Sequence, residues 1–193
     1  MRKIVVVNNL TLDGVMQAPG RPDEDTRGGF AHGGWARPYN DAVMGQAMGE
    51  RMAGESDLLL GRRTYEDFAA FWPTQTNNPF TAVLNGRRKY VASTTLVAPL
   101  PWENSTLLVG DAADAVAALK GEQGAPLTIL GSGALIQALQ RRNLIDEYLL
   151  LIHPLVLGAG GRLFPEGVAA APLRLVGSLT TTTGVLIATY QPA

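Results

Sequence analysis

A glycine-rich turn in the stretch ILGSGALIQAL, residues 129–139, is the first feature whose residue types and spacing could do chemistry. It lies where an apolar run ends and an amphipathic run begins, which predicts a strand, a turn and a helix opening at Gly133. The first-turn amides of a helix lack partners within it, and its dipole favours an anion, so this turn could hold a phosphate. The third glycine of a GxGxxG motif is replaced by Ile136, and no Gly-Lys-Ser or Gly-Lys-Thr follows. Two interpretations therefore stay open: a phosphate site and an ordinary tight turn.

Two other apolar runs end in residues suited to phosphate binding, in LLLGRRTYE and in YVASTTL. The residues are Gly61, Arg62, Arg63 and Thr64 after the first run, and Ser93, Thr94 and Thr95 after the second. Adjacent arginines and hydroxyls can bind phosphate through charge-assisted hydrogen bonds, although a solvated basic helix start is the simpler alternative. Ligands of open α/β sheets bind at the carboxyl ends of the strands, where all three segments would converge.

Short, uninterrupted apolar runs predict the strands that position these residues. The runs are residues 4–7, 58–60, 90–92, 106–109, 127–130 and 148–152. Helices are predicted at 62–71, at 112–120 with Asp111 as the cap, at 133–142, and from Asn40 or Asp41 to about residue 52. This order predicts an α/β fold with a mostly parallel central sheet and helices on both faces.

The C-terminal segment and two long stretches of the chain depart from this alternation of strands and helices. Residues 173–180 and 185–190 are β-rich and too close together for a crossover helix, so they predict an antiparallel C-terminal strand pair. Residues 13–38 and 72–87 form two long irregular stretches, and loops of this length are usually functional or mobile. No repeat or linker marks a second domain, and we expect one domain over residues 1–193.

Composition excludes several classes of function. The 193 residues contain no cysteine, which rules out disulfides, thiolate nucleophiles and cysteine-bound zinc. Only two histidines are present, and we expect no metal site. A net charge of -1 without a basic cluster argues against nucleic-acid and anionic-membrane partners. The apolar run at residues 4–7 is too short for a signal peptide. We expect a soluble cytoplasmic protein that acts on a small molecule.

Taken in order, these segments resemble the dihydrofolate reductase-like superfamily. The resemblance is closest to stand-alone proteins similar to the reductase domain of the bacterial bifunctional riboflavin-biosynthesis deaminase-reductases. It runs from LTLDG through LLLGRRTYE, YVASTTL and ILGSGALIQALQRRNLIDEYLLLIHPLVLGAGGRLF to the antiparallel tail. The pteridine-binding constellation of the folate enzymes has no match here, and the cysteine-free chain lacks the zinc ligands of a deaminase half.

The resemblance implies NADPH as the cofactor and hydride transfer to a C=N or C=O bond as the reaction. It implies that the cofactor is bound by Gly61, Arg62, Arg63 and Thr64 near the adenosine side, by Ser93 and Thr94 near the 2′-phosphate, and by Gly131, Ser132, Gly133 and Ala134 at the pyrophosphate. The substrate would be a small heterocycle, pterin-like or similar to 5-amino-6-(5-phosphoribosylamino)uracil. A reductase of an unrelated carbonyl or imine and a nucleotide-binding module without turnover are the alternatives.

Hydride transfer to an imine also needs a proton, and Asp41 is the predicted donor. It follows Trp35 and Pro38 in GGWARPYND, which is similar to the loop-to-helix segment of the folate enzymes, although it falls one position late. Burial there would raise the pKa of the carboxyl group. A helix cap is the simpler interpretation of Asp41, as a turn is for Asp13. Of the histidines, His32 is expected in a solvated loop and His153 in the core.

A homodimer is the expected assembly. The C-terminal strands carry apolar residues on what would be an exposed edge of the sheet, a surface that a partner usually covers. The glycines of LVLGAGGRLF, residues 155–164, could permit a close approach to such a partner or could simply form a loop.

Overall fold

The computed structural model describes residues 1–168 and 170–193, which form an eight-stranded sheet and five α-helices. The strands are β1 (Ile4–Thr11), β2 (Asp57–Gly61), β3 (Lys89–Ala92), β4 (Ser105–Leu108), β5 (Leu127–Leu130), β6 (Glu147–His153), β7 (Leu173–Thr180) and β8 (Leu186–Pro192). The helices are α1 (Ala42–Ala53), α2 (Arg62–Phe71), α3 (Thr81–Gly86), α4 (Ala112–Gly121) and α5 (Gly133–Arg141). Single 3₁₀ turns lie at Arg27–Gly29, Arg37–Tyr39 and Trp72–Thr74.

The strand order is β4-β3-β2-β5-β1-β6-β8-β7. Strand β2 pairs in parallel with β3 and with β5, and β3 pairs in parallel with β4. Strand β8 is antiparallel to both β6 and β7. The predicted α/β fold, with a mostly parallel sheet and an antiparallel C-terminal pair, is confirmed.

The local sequence explains most element boundaries. Leu58, Leu59 and Leu60 of β2 are all fully buried, as an uninterrupted apolar strand requires. The Asp111 carboxylate caps α4 by accepting hydrogen bonds from the backbone N–H of Ala113 at 2.9 Å and Asp114 at 3.0 Å. The predicted bounds of the other three helices are within one residue or two of those observed.

Helix α3 was not predicted, because it lies inside the stretch 72–87 that reads as irregular. It is only six residues long, and its own sequence carries no side-chain cap. Its buried residue Leu84 packs in a cluster with Tyr65 and Trp102, so tertiary contacts stabilise a helix that local signals do not specify.

The chain packs as two compact units. The first consists of Met1–Val5 and Met52–Asp146, and its core is a cluster of Leu58, Leu60, Tyr65, Leu84, Val91 and Trp102. The second consists of Val6–Arg51 and Glu147–Ala193. One cluster of the second unit joins α1 to β6 and β8 through Met44, Leu149, Leu151, Val185 and Ile187. One domain over residues 1–193 stays a prediction.

The long stretch 13–38 is not a free loop. Val15, Ala18, Phe30, Trp35 and Ala36 form a second buried cluster in this unit. Over the residues that the structure describes, every helix is too short or too polar to traverse a bilayer.

Candidate cofactor site

The first unit brings the three predicted phosphate-binding segments to one edge of the sheet. Gly61 ends β2 opposite Ala92 of β3, so Ser93 and Thr94 follow directly beside Arg62. Strand β5 is the other parallel neighbour of β2, and the glycine-rich turn follows it. The carboxyl ends of β3, β2 and β5 therefore present these residues side by side, where α/β sheets bind their ligands. A separate surface groove of about 710 Å³ lies along β4 and is lined by none of them.

The glycine-rich turn is held by side chains from α2 and from itself. Gly131 and Ser132 both have left-handed backbone angles, with φ of 60° at each residue. The Ser132 N–H donates to Thr64 Oγ1 at 3.0 Å, and Ser132 Oγ accepts from the Gly61 N–H at 3.0 Å. A Cβ on Gly131 would lie 3.2 Å from Thr64 Oγ1, closer than ordinary contacts. The tight-turn interpretation is therefore correct, and it leaves the phosphate interpretation open.

Helix α5 begins at this turn and α2 begins directly after Gly61, which is hydrogen-bonded to the turn, and neither helix is capped by a side chain of the described residues. The N-cap of α5 is Ser132, whose hydroxyl is already bonded to Gly61 and Leu130 and not to the helix. The first bond of α5 runs from the Ile136 N–H to the Ser132 carbonyl at 3.0 Å, so the amides of Gly133 and Ala134 precede its ladder. Two uncapped helix starts, joined by hydrogen bonds, form a cradle of N–H donors that suits a diphosphate.

The charges of the first turn of α2 favour the same interpretation. Arg62 and Arg63 lie there, although a helix N-terminus disfavours cations, and the turn contains no acidic residue. Arg62 pairs with Glu66 at 2.8 Å, whereas Arg63 is exposed and forms no ion pair within the described ranges. A bound phosphate would offset the unfavourable placement of these two charges.

Of the two predicted hydroxyls after β3, that of Ser93 is hydrogen-bonded within the described residues and that of Thr94 is not. Ser93 Oγ accepts from the N–H groups of Thr95 at 3.1 Å and Leu96 at 3.0 Å, which closes a local turn. Thr94 is exposed, and no residue in the described part of the chain binds its side chain. Of the two, Thr94 is the residue free to contact a ligand.

Asp41 lies in the second unit, at the start of α1. Its Oδ1 accepts from the Met44 N–H at 2.7 Å, which is a helix cap, and its Oδ2 accepts from the hydroxyl and N–H of Thr182 at 2.6 and 2.7 Å. These bonds to the anion, with that of the Thr182 hydroxyl the strongest, lower the pKa of Asp41. The expectation that burial raises this pKa is therefore wrong, while a role in proton transfer stays a prediction.

Asp13, the rival acid, anchors the loop 155–164. Its carboxylate accepts from the Thr11 hydroxyl at 2.6 Å and from the Gly158 N–H at 2.9 Å, and the hydrogen bond from Thr11 is the main cause of a pKa of about 2. Gly160 serves the packing of this loop, because a Cβ there would lie 2.7 Å from both Phe30 and Val15.

The histidines lie as expected. His32 is exposed in a loop. His153 ends β6, is fully buried, and has Nε2 at 2.9 Å from Asn9 Oδ1. The edges of Trp35 and Tyr39 surround the imidazole, and burial lowers the pKa of His153 to about 4. His153 is thus a neutral, hydrogen-bonded core residue.

A model of the RibD C-terminal domain matches residues 2–187, nearly the whole chain. The chain belongs to the RibD C-terminal domain family. Membership in this reductase-like family confirms the resemblance predicted from the ordered motifs.

Two Bacillus subtilis (strain 168) relatives of this RibD-type chain are the uncharacterized proteins YyaP and YwjB. YyaP is 28% identical over 139 residues, which cover 69% of this chain and 72% of YyaP. YwjB is 30% identical over 122 residues, which cover 63% of this chain and 65% of YwjB.

Two solved structures share the fold of this RibD-type chain. One is a Shewanella sp. PV-4 protein described as a candidate riboflavin biosynthesis protein, with a TM-score of 0.69, 21% identity and 99% of each chain covered. The other is a pyrimidine reductase-like protein of Corynebacterium diphtheriae, with a TM-score of 0.66 and 10% identity over 100% of this chain and 92% of the other. At these identities the likeness establishes the fold.

Sequence reasoning missed Asn9 as a candidate site residue of this RibD-type chain. The signal was the pair Asn8-Asn9, two adjacent amides that follow the apolar run of β1. The pairing of Asn9 with His153 could not be predicted, because 144 positions separate the two residues.

Proposed function

We propose that this chain is an NADPH-dependent reductase that transfers a hydride to a C=N or C=O bond of a small heterocycle. Membership in a reductase-like family supports the reaction class. An aminopyrimidine such as 5-amino-6-(5-phosphoribosylamino)uracil is the proposed substrate type, and a pterin-like ring is the nearest variant of it.

The main support for this proposal is that α2 and α5, which follow β2 and β5, both begin without a side-chain cap from the described residues. The amides of Gly133 and Ala134 would bind the diphosphate, and Thr64 would hold the turn that presents them. The fit is supported by the close approach at Gly131, where a side chain would disturb the cradle. NADPH, when bound, supplies the hydride.

The proposal includes a preference for NADPH over NADH. Arg63 has no ion-pair partner in the described part of the chain, and Thr94 is an exposed hydroxyl at the end of the neighbouring strand. A guanidinium and a hydroxyl are suitable ligands for a 2′-phosphate, which NADH lacks.

A nucleotide-binding module without turnover is the second candidate function, and the state of the two candidate acids favours it. The pKa values of Asp41 and Asp13 are both lowered, so both groups are carboxylates near neutral pH. A carboxylate without its proton cannot donate one, so under the reductase proposal either Asp41 takes up a proton during the reaction or water supplies it.

A two-stage experiment separates these functions. NADPH fluorescence is titrated with protein, and the absorbance of NADPH is then followed with 5-amino-6-(5-phosphoribosylamino)uracil and with a dihydropterin as oxidants. A reductase binds NADPH and consumes it with one of these compounds. Binding without consumption supports the module, and absence of binding contradicts both functions.

We also propose that the protein is a homodimer. Leu175, Val176 and Leu179 are 52%, 41% and 45% exposed on β7, which ends the sheet and has one edge that no described strand pairs with. Next to Leu179, a groove of about 390 Å³ is lined by Ala47, Met48, Leu149 and Ile187, among others. A second copy would cover this apolar surface. Light scattering at micromolar concentration should give twice the monomer mass, and a monomeric mass would contradict the proposal.

A further inference from the structure

The side-chain amide of Asn9 is hydrogen-bonded through its oxygen and not through its nitrogen among the described residues. Its Oδ1 lies 2.9 Å from Nε2 of the buried His153. Its Nδ2 amino group has no hydrogen-bond partner among residues 1–168 and 170–193, and this nitrogen is not fully buried. Asn9 itself is half-buried, so this amino group faces accessible space near the carboxyl end of β1. Two N–H donors are therefore held in place without an acceptor among the described residues.

The protonation of His153 determines which end of the Asn9 amide points outward. The His153 Nδ1 atom is buried and has no partner in the described structure. If Nδ1 carried the proton, a buried N–H would be left unbonded, and orphaned buried donors are rarer than orphaned acceptors. The proton therefore belongs on Nε2, which donates to Asn9 Oδ1 and leaves the two N–H groups of Nδ2 outward.

The surroundings of His153 keep its ring in this orientation. The rings of Trp35 and Tyr39 meet the imidazole edge-on, with centroids at 5.1 and 5.4 Å. Trp35 is itself fixed by an Nε1–H bond of 2.7 Å to the Gln17 carbonyl, and the Tyr39 carbonyl accepts a 2.6 Å bond from the Thr183 hydroxyl. The low pKa of His153 keeps the ring neutral, so the Nε2–H tautomer persists across the physiological range.

We infer that Asn9 is a substrate-recognition residue whose amino group donates hydrogen bonds to a carbonyl oxygen or ring-nitrogen acceptor of the substrate, and that His153 is its positioning residue. This inference rests on the proposed reductase function for the existence of a substrate. It restricts the proposed substrates to heterocycles that place a hydrogen-bond acceptor opposite the Asn9 amino group. A uracil ring, with its oxo groups, is an example. A site that fixes a donor in this way discriminates against analogues without the acceptor.

The variant Asn9→Asp separates recognition from structure. A carboxylate can still accept the His153 Nε2–H bond, so a purely structural role is preserved, but both outward N–H donors are lost. With 5-amino-6-(5-phosphoribosylamino)uracil as the probe, we expect the KM to rise about tenfold or more, while the melting temperature and the NADPH affinity remain near those of the wild type. An unchanged KM overturns the inference and leaves the reductase proposal intact.

Two variants of His153 test the positioning role. His153→Gln can still donate an N–H to Asn9, whereas His153→Phe keeps a ring and removes the donor. We expect the probe KM to rise in the Phe variant and to return towards the wild-type value in the Gln variant. Equal KM values in both variants contradict the positioning role.

Nitrogen-15 NMR of the wild-type protein provides a readout that does not depend on turnover. The imidazole shifts of His153 should identify an Nε2–H, Nδ1-bare tautomer, and adding the probe should move the Asn9 side-chain amide resonances. An Nδ1–H tautomer, or Asn9 resonances that do not move, overturns the inference. Failure of NADPH binding in the same sample would contradict the proposed function separately.

Discussion

Replacing Gly131 with alanine tests whether the glycine-rich turn forms part of a cofactor site. A residue with a Cβ at φ of 60° costs about 1–2 kcal/mol in the left-handed region. The new Cβ would also lie 3.2 Å from Oγ1 and 3.3 Å from Cγ2 of Thr64, so Thr64 must move by a few tenths of an ångström. That movement weakens the 3.0 Å bond between Thr64 and the Ser132 N–H, which contributes about 1 kcal/mol. We expect a total loss of stability of about 2–3 kcal/mol.

The same displacement should weaken cofactor binding, because the turn presents the first amides of α5. A loss of about 1.4 kcal/mol corresponds to a tenfold weaker NADPH affinity, measured by fluorescence titration alongside denaturant unfolding. Gly28→Ala is the matched control: its φ of 68° imposes similar backbone strain, but its Cβ would meet nothing within 4 Å. A folded Gly131→Ala protein that binds NADPH as tightly as the Gly28→Ala control would refute the placement of the diphosphate.

Three further predictions concern other charged and titratable side chains. Arg63→Ala should reduce the preference for NADPH over NADH about tenfold or more at low salt while leaving NADH affinity unchanged, and equal affinities of the wild type for both cofactors would contradict the 2′-phosphate assignment. Asp41→Asn should lower the melting temperature modestly, because its amino group would face the N–H donors of Thr182. If Asp41 takes up and donates the proton, turnover should also fall about 10²-fold or more in the folded variant, and near-normal turnover would remove Asp41 and assign the proton to water. The pKa of His153 is lowered from 6.5 to about 4, so the unfolded chain binds more protons between these values and stability should fall as the pH drops through that window. His153→Phe should lose this component of the pH dependence, and identical profiles for the two proteins would refute it.

Much of the sheet could be predicted because buried parallel strands have an uninterrupted apolar signature. The three consecutive leucines of β2 and the Asp111 cap of α4 are specified by their own local sequence. Helix α3 could not be predicted, since packing of Leu84 against the core is what stabilises it.

The sequence predicts which segments meet at the candidate site, but it does not predict the hydrogen bonds between them. The order of the motifs indicates that Gly61 and the glycine-rich turn meet, but not that the Ser132 hydroxyl bonds to Gly61 across 71 positions. For the same reason the sequence could not indicate that Thr182 would saturate Asp41 and lower its pKa. Long-range hydrogen bonds decide which polar residues are structural and which remain available.

The most direct test of the cofactor site is an NADPH titration followed by backbone amide NMR of the wild-type protein. We expect large, saturable shifts of the Gly133 and Ala134 amides, because these first-turn N–H groups of α5 have no side-chain cap among the described residues. Arg63 should shift in the same titration, and Gly28 should not. Saturable binding that leaves the Gly133 and Ala134 amide resonances unmoved would contradict the placement of the diphosphate at the start of α5.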